Sequence, residues 1–255
     1  YTSAHAQPVA LVQADVTIDG SSLGGACVSQ IKATVRFTAS DTSQRILSWN
    51  GACGQLATRR IAIAVDARAH THPTGRYRYT LEVQALVQGL PTATDTTGVM
   101  VVVDRSASQF GPGWWLDGLE QLAPIPNHAD SLLWIGGDGS TRLYVKVAND
   151  TFVVRPTLDR PDSLIALRTN GNISEYRRKL RNGAYVSFDA YFRHTSTVNT
   201  IGHTTRFVWH APGSSQLDSV VLPVPSGGAR RAYAFGYTSG LLSSVTAPTG
   251  PAGAR

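Results

Sequence analysis

One stretch of ten residues, 110–119, constrains the fold of this chain more than any other. Its sequence, FGPGWWLDGL, sets two adjacent tryptophans among three glycines and a proline. Burying a side chain of this size contributes roughly 2–3 kcal/mol, and glycine permits backbone angles that other residues resist. We therefore expect a sharply bent hinge in which Trp114 and Trp115 anchor the core between two domains, and Trp114→Ala to destabilise by roughly 3–5 kcal/mol. The hinge residues are Gly111, Gly113, Trp114, Trp115, Leu116 and Gly118.

The composition favours a folded protein built from many short strands. The chain has 255 residues, which suits one large domain or two ordinary ones. Hydrophobic residues make up 42% and charged residues 16%, while 24 glycines and 13 prolines indicate frequent turns. No run approaches the roughly 20 apolar residues that span a bilayer, so we predict no transmembrane segment in the covered chain.

Residues 1–104 show a succession of alternating apolar and polar patterns. In residues 31–37 and 76–85 every second residue is apolar, which is typical of half-buried antiparallel strands. Six or seven such strands in about 100 residues are typical of an immunoglobulin-like or fibronectin-like sandwich. The turn and strand at 73–79 also resemble those found late in many bacterial immunoglobulin-like domains, a resemblance that implies a fold and no particular ligand.

Residues 105–255 show a different pattern, in which hairpin-like units follow one another. Residues 132–135 and 142–147 flank the turn-rich string GGDGS, and Asn182-Gly183 is a strong hairpin signal. In the tail, residues 217–223 align with 242–248 at an offset of 25. A single hairpin cannot bury its own apolar face, so we expect these units to stack into one continuous sheet.

This second part, about residues 106–255, resembles the Rhs/YD-repeat family of bacterial proteins. Three groups of residues carry the resemblance: Phe110 to Trp114 with Leu116, Gly118 and Leu119; Leu133 and Trp134 with residues 137–140, Leu143 and Tyr144; and Gly183, Val186, Phe188, Asp189, Arg193, Asn199, Gly202, His203, Thr205, Phe207 and Trp209. Phe192 stands where the family usually has the glycine of an aromatic-Asp-x-x-Gly-Arg motif, so the turn there is expected to differ.

The resemblance implies a long β-ribbon that spirals into a hollow shell. In relatives the shell surrounds a C-terminal toxin or cargo, and the proteins are secreted or displayed on the cell surface. We therefore predict an all-β chain: an immunoglobulin-like β-sandwich at 1–104, followed at 105–255 by stacked antiparallel β-hairpins of YD-repeat type. A few hairpins do not close a shell, so we expect this to be the first section of a longer polypeptide.

Cys27 and Cys53 are the two cysteines, and each lies beside small residues at an expected strand end or turn. A disulfide between them, which would imply an oxidising compartment, is our leading interpretation, and free buried thiols are the alternative. Two cysteines fall short of the four ligands of a structural zinc site. The residues Ala4-His5-Ala6 are similar to the end of a secretory signal. We expect a bacterial protein that is secreted, periplasmic or on the cell surface.

The net charge of +6 raises the question of nucleic-acid binding. The one basic cluster comprises Arg177, Arg178 and Lys179 with Arg181. Its alternating context favours a solvated strand face or turn over a binding patch. We predict no nucleic-acid partner.

Residues that could carry chemistry are few. His70 and His72 could be metal ligands, but the absence of a third ligand nearby favours a polar turn before Pro73. Asp138 in GGDGS is a single carboxylate, which favours a hairpin turn over a calcium site. We predict no metal and no cofactor.

Asp189, Arg193 and His194 could be an acid, a cation and a base. In an extended segment Asp189 and Arg193 share one face and His194 lies on the other, which favours a salt bridge or a turn hydrogen bond. We find no catalytic constellation and predict a protein that is not an enzyme, with a hydrolase of dispersed active site as a remote alternative.

The leading functional prediction is a structural or scaffold protein whose partner is another protein or the remainder of a longer chain. One alternative is a surface adhesin that binds glycan or protein through an aromatic strand face. Another is a subunit of a larger envelope complex, in which a second chain covers an exposed sheet edge. The aromatic face would comprise Tyr185, Tyr191, Phe192, Trp209 and Tyr237, although at strand spacing such residues are more typical of sheet ladders and core.

Overall fold

The computed structural model describes residues 2–3, 9–24, 26–37, 42–51, 53–66, 73–87, 90–155, 162–224, 228 and 231–248. Over these residues the chain is all-β, as predicted, with nineteen strands and one short 3-10 helix at Gly20–Leu23. None of these residues belongs to a helix long and apolar enough to cross a membrane. The chain divides into two compact units, Tyr1–Val103 and Asp104–Arg255.

The first unit contains two antiparallel sheets. Its strands are β1 (Thr2–Ser3), β2 (Val9–Asp19), β3 (Val28–Arg36), β4 (Thr42–Gly51), β5 (Leu56–Asp66), β6 (Gly75–Val87) and β7 (Leu90–Asp104). One sheet has the strand order β1-β7-β6-β3-β4, and the other pairs β2 with β5 along their whole length.

Side chains from both sheets form one hydrophobic core, and their spacing follows from the pleat of a strand. Alternate residues point to the same face, so Ile31 and Val35 of β3 are buried together with Ile61 and Ile63 of β5. Tyr77 of β6 packs against the same core, in the face predicted for it. Full burial of each aliphatic side chain contributes about 1.5–3 kcal/mol.

Cys27 and Cys53 form a disulfide, as predicted. Cys27 directly precedes β3, and Cys53 lies between β4 and β5. The bond therefore links the start of a core strand of the larger sheet to the connection that leads into the smaller sheet.

The second unit is built on one sheet of twelve strands. They are β8 (Gln121–Ile125), β9 (His128–Ile135), β10 (Thr141–Ala148), β11 (Thr151–Arg155), β12 (Asp162–Thr169), β13 (Asn172–Leu180), β14 (Tyr185–Asp189), β15 (His194–Val198), β16 (Thr204–Trp209), β17 (Leu217–Val221), β18 (Ala232–Thr238) and β19 (Leu241–Thr246). Each pairs antiparallel with the strand before it and the strand after it, so the sheet is an uninterrupted meander from β8 to β19.

The hairpins predicted from turn residues are present. The string 136–140 joins β9 to β10, with Gly139 at a φ of 84°, and Asn182-Gly183 joins β13 to β14, with Gly183 at a φ of 87°. Both angles lie in the left-handed region, where glycine has no steric cost. The repeat of offset 25 corresponds to the consecutive hairpins β16–β17 and β18–β19.

Candidate functional site

The 110–119 segment is a series of turns held by its own backbone. The amide of Gly113 donates to the carbonyl of Arg105, and the amide of Trp114 donates to that of Gly111. Gly111 has a φ of 112° and Gly113 a φ of 83°, which explains the choice of glycine at both positions. A side chain at Gly137, in the β9–β10 turn, would lie 2.6 Å from the amide nitrogen of Gly118, so the two backbones are in close contact.

The two tryptophans of this segment differ in environment. Trp115 packs with Leu119, Phe207 and Leu217 in a core cluster of the second unit, and its indole Nε1 donates to the carbonyl of Leu119 at 2.8 Å. Trp114 is 72% exposed. The expectation that Trp114 anchors a core is therefore wrong, and with it the large loss of stability expected for Trp114→Ala. Adjacent residues on this tightly turning backbone point in different directions, and only one of the two reaches the core.

Four charged side chains and one tryptophan meet beside the second sheet, and we call them the ionic cluster: Glu120, Trp134, Arg142, Asp162 and Arg178. Arg142 is 33% exposed, and the other three charged side chains are largely buried. The guanidinium of Arg178 bonds both oxygens of Glu120 and, through Nη1, the Oδ2 of Asp162 at 2.6 Å. The side chains of Arg178 and Asp162 are only 8% and 1% exposed. Paired in this way, the opposite charges tolerate burial, whereas an unpaired one would cost several kcal/mol.

Aromatic groups complete the ionic cluster. The indole Nε1 of Trp134 donates to Glu120 Oε2 at 2.7 Å, and the guanidiniums of Arg178 and Arg142 lie 4.6 and 5.7 Å from the Trp134 ring. Tyr144 is fully buried beside the cluster, and its hydroxyl has no hydrogen-bond partner among the described residues. Burial and the nearby negative charge of Asp162 raise the pKa of Tyr144, so the hydroxyl stays protonated.

His194 at the start of β15 is fully buried. Its Nδ1 accepts the amide of Glu120 at 3.2 Å, its Nε2 lies 2.9 Å from the hydroxyl of Thr197, and its ring is 4.0 Å from that of Phe207. Burial lowers the pKa of His194 to about 3, so the imidazole is neutral. These contacts use both ring nitrogens within the protein, so the geometry gives His194 a packing and positioning role.

Arg193, the residue before it, joins two turns of the second unit. It forms the predicted salt bridge with Asp189 at 2.6 Å and donates from Nη1 to the carbonyls of Ala211 and Ser214. Its guanidinium lies 5.2 Å from the ring of Tyr191 and 5.2 Å from that of Trp209.

Phe192 lies in the same turn, in the left-handed region at a φ of 66°, where the family resemblance leads one to expect glycine. Its ring stacks on Tyr176 at 5.3 Å, and this contact accounts for a large side chain at a strained position.

A cavity of about 310 Å³ opens beside Arg193, and we call it the Arg193 cavity. Glu120 of the ionic cluster forms part of one wall, and residues of the 104–109 segment form another. Its lining residues are Asp104, Arg105, Ala107, Ser108, Gln109, Trp115, Glu120, Gln121, Tyr191, Arg193, Trp209, Gly213, Ser214 and Ser215.

The basic cluster predicted from the sequence does not form a single surface. Arg177 pairs with Glu175 and lies 4.7 Å from the ring of Tyr185, and Lys179 is exposed. Arg178 points to the opposite face of β13 and is buried in the ionic cluster, so the expectation of a solvated run is wrong for this residue. Because successive residues of a strand point to opposite faces, the sequence alone could have placed Arg178 on a different face from Arg177 and Lys179.

The five aromatic residues of the candidate binding face are not brought together. Tyr185 lies on the face of β14 opposite to the buried Val186 and Phe188. Phe192 and Trp209 pack against the core clusters of the second unit, while the hydroxyl of Tyr237 donates to Gln109 Oε1 at 2.7 Å. Tyr191 is 58% exposed, and the guanidinium of Arg193 lies near both its ring and the ring of Trp209. Phe192 and Trp209 therefore pack toward core clusters and Tyr237 is engaged by Gln109, so the five residues do not share one face.

Several other candidates can be placed. Asp138 accepts the amide and hydroxyl of Ser140, which makes the predicted turn, and the described residues hold no group of three or more potential metal ligands. His70, His72 and the signal-like 4–6 lie outside the described residues. Residues 20–24 have the Gly-x-Ser-x-Gly spacing of a hydrolase nucleophile, but Ser22 lies in the 3-10 helix between two strands and its hydroxyl donates to Asp19.

No family model matches the chain, and no curated protein matches it. Among solved structures it is similar to a porin-like protein from Bacteroides uniformis ATCC 8492, with 12% sequence identity and a TM-score of 0.25. The alignment covers 86% of this chain and 88% of that one. A similarity at this TM-score carries no argument about fold or function.

Proposed function

We propose that this chain is a non-enzymatic scaffold protein of Rhs/YD-repeat type, a section of a β-ribbon to which further strands are added. The observation that carries the proposal is the open last strand of the twelve-stranded meander. In this proposal the first unit is an immunoglobulin-like domain that precedes the ribbon.

The two ends of the meander differ. At β8, the amide of Leu122 donates to the carbonyl of Phe192, and Gln121 forms an isolated bridge with Arg193, so the chain itself covers this edge. At β19, the amide of Leu242 donates to the carbonyl of Gln109. Beyond it, residues 243–246 bond only to β18 among the described parts of the chain. Within the described residues, the sheet therefore has one covered edge and one largely open edge.

The open edge lacks the protection that edge strands usually carry. Natural edge strands are blunted by lysine, proline, inward charges or a covering segment, because free backbone groups otherwise pair with other chains. The sequence of β19, LLSSVT, contains no charged residue and no proline. Leu241 is 48% and Val245 52% exposed. These properties suit a strand that is covered in the mature assembly.

An apolar groove of about 440 Å³ lies beside this edge. It is lined by Phe110, Trp114, Trp115, Leu116, Asp117, Val220, Tyr233, Phe235, Leu242 and Val245. A strand added to β19 would place alternate side chains toward this groove, and apolar side chains would fit its lining. The exposure of Trp114 then has a role, as part of a surface that the next strand covers.

The disulfide supports an oxidising compartment, since such bonds are rare in reducing cytosol. We therefore place the proposed scaffold outside the cytoplasm, as a secreted, periplasmic or cell-surface protein of a bacterium. Its partner is the remainder of a longer chain.

The mass of the protein purified from its source tests the proposal. A denatured mass well above 27.3 kDa, with these 255 residues in its interior or at its start, is the expected result. A denatured mass of 27.3 kDa with a larger native complex would replace the proposal with the second candidate, a subunit whose open edge another chain covers. A 27.3 kDa protein that is monomeric in its native state would overturn both.

A further inference from the structure

The Arg193 cavity has the size and lining of a small-molecule site. Its volume of about 310 Å³ lies at the lower end of the range for such sites, roughly 300–1,000 Å³. Three aromatic residues line it, Trp115, Tyr191 and Trp209, together with several hydroxyl and amide groups. Of these residues, the proposed scaffold function uses only Trp115, which also lines the groove beside β19.

Arg105 is the buried charged group at the cavity that forms no ion pair with a described carboxylate. The residue is 9% exposed, lies 5.0 Å from the ring of Trp115, and donates to the carbonyls of Gly136 and Gly137. No carboxylate of the described residues forms an ion pair with it. Burial lowers the pKa of Arg105, and the exposed Asp138 is the one carboxylate that raises it. Buried charges in proteins are normally paired, so the wall around Arg105 favours an anion.

The other charges at the cavity are already engaged. Arg193 is neutralised by Asp189, and Glu120 by Arg178. Asp104 is exposed and accepts the amide of Ser106. The positive charge of Arg105 is therefore the one that a ligand would neutralise.

The other residues that line the cavity favour some anions over others. Ser214 and Ser215 bring hydroxyl groups to the walls, whereas the buried Ser108 hydroxyl already donates to the carbonyl of Trp114. Tyr191 keeps 58% of its surface exposed. A sugar ring has an apolar C–H face that packs on an aromatic ring and a rim of hydroxyls that bond to such polar groups. A carboxylate alone would use neither the aromatic rings nor the serines.

We propose that the Arg193 cavity binds a small anionic saccharide of the uronic-acid type. Its carboxylate neutralises Arg105, its C–H face packs on the aromatic lining, and its hydroxyls bond to the serines. The proposal is independent of the scaffold function, which stands or falls on the β19 edge.

Calorimetric titration of the 255-residue chain with glucuronate, glucose and acetate tests this proposal. We expect glucuronate to bind at least tenfold more tightly than glucose and than acetate. Tyr191→Ala, an exposed position, should weaken glucuronate binding at least fivefold. Trp114→Ala, an exposed aromatic outside the cavity, should leave it unchanged. Equal affinity for glucuronate and glucose, equal affinity for acetate, or no binding would each overturn the proposal.

Variants of Arg105 test the charge directly. Arg105→Gln should abolish the preference for glucuronate over glucose, and Arg105→Lys, which keeps the charge, should retain most of it. A glucuronate preference that survives in a folded Arg105→Gln protein would overturn the assignment of Arg105. Should Arg105→Gln fail to fold, the Tyr191→Ala and Trp114→Ala pair decides the proposal by itself.

Discussion

The properties of single side chains in the second unit depend on the face of the strand they occupy. Arg177 and Arg178 are neighbours in sequence, yet one lies over Tyr185 at the surface and the other is enclosed by Glu120 and Asp162. A surface ion pair contributes little because water screens it. A buried one has lost its hydration, so each partner depends on the other.

Alanine substitutions at these two positions are therefore expected to differ strongly. Arg178→Ala should lower the free energy of unfolding by about 3–5 kcal/mol, because it leaves Glu120 without its ion-pair partner and Asp162 with only the longer contact to Arg142 at 3.5 Å. Arg177→Ala should lower it by about 1 kcal/mol or less, since its pair with Glu175 is partly exposed. Urea denaturation of the two variants measures the difference, and equal midpoints would contradict the ionic cluster as described.

His194 should make the stability of the protein depend on pH. Its pKa is lowered to about 3 in the folded protein, from a usual 6.5. The unfolded chain therefore takes up a proton below pH 6.5 that the folded chain does not, and stability falls as the pH is lowered. From pH 7.5 to 5 the expected loss is about 2 kcal/mol.

The His194→Gln variant supplies the control for this pH effect. Because glutamine does not titrate, the stability of this variant should no longer fall between pH 7.5 and 5. This holds whether or not the substitution changes the stability at pH 7.5. An identical slope in the variant and the parent protein would show that His194 is not the group responsible.

At the scale of elements, strands with long alternation were predictable and short mixed ones were not. Residues 31–37 and 76–85 alternate cleanly, and β3 and β6 contain nearly all of them. No prediction was made for β8, which contains Pro124, or for β15, whose sequence HTSTV has one aliphatic residue. These strands exist because neighbouring strands pair with them, and pairing is a tertiary effect that outweighs local propensity.

The candidate site was less predictable than the fold for the same reason. The alternation around Arg178 places it on the face of Tyr176, but does not say which face is buried when both carry charges. Glu120, 58 residues away in sequence, meets it only in the folded sheet. The disulfide, by contrast, followed from two cysteines set beside small residues at turns.

The turn at Phe192 provides a test of an individual element. Phe192→Gly and Phe192→Ala both lose the stack on Tyr176, but only alanine keeps a side chain in the left-handed region, which costs about 1–2 kcal/mol. The glycine variant should therefore have the higher melting temperature. At Lys179, an exposed position in a strand, the alanine variant should instead have the higher melting temperature. The same order of melting temperatures at both sites would contradict the backbone angle at Phe192.

The disulfide should stabilise the first unit alone. Closing a loop between residues 26 positions apart stabilises by about 3–4 kcal/mol in the chain-entropy model. Cys27→Ser with Cys53→Ser should lower the stability of the first unit by this amount. The second unit contains no cysteine, so amide exchange in β8–β19 should stay unchanged, and faster exchange there would contradict this expectation.

At the scale of the whole molecule, the second unit follows from one rule applied repeatedly. Each hairpin leaves an apolar face and a free edge, and the next hairpin covers that edge, from β8 through β19. At β19, residues 243–246 have no strand partner besides β18 among the described residues, and Val245 is 52% exposed. The proposed scaffold function depends on this edge being covered by a further strand.

Amide hydrogen exchange at β19 tests this account most directly. It compares the isolated 255-residue chain with the protein from its native source. The account predicts strong protection of β9–β17 in both samples. Those amides of residues 243–246 that do not bond to β18 should exchange at least tenfold more slowly in the native sample, where a further strand covers them. Equally fast exchange of these outer amides in both samples would contradict the account.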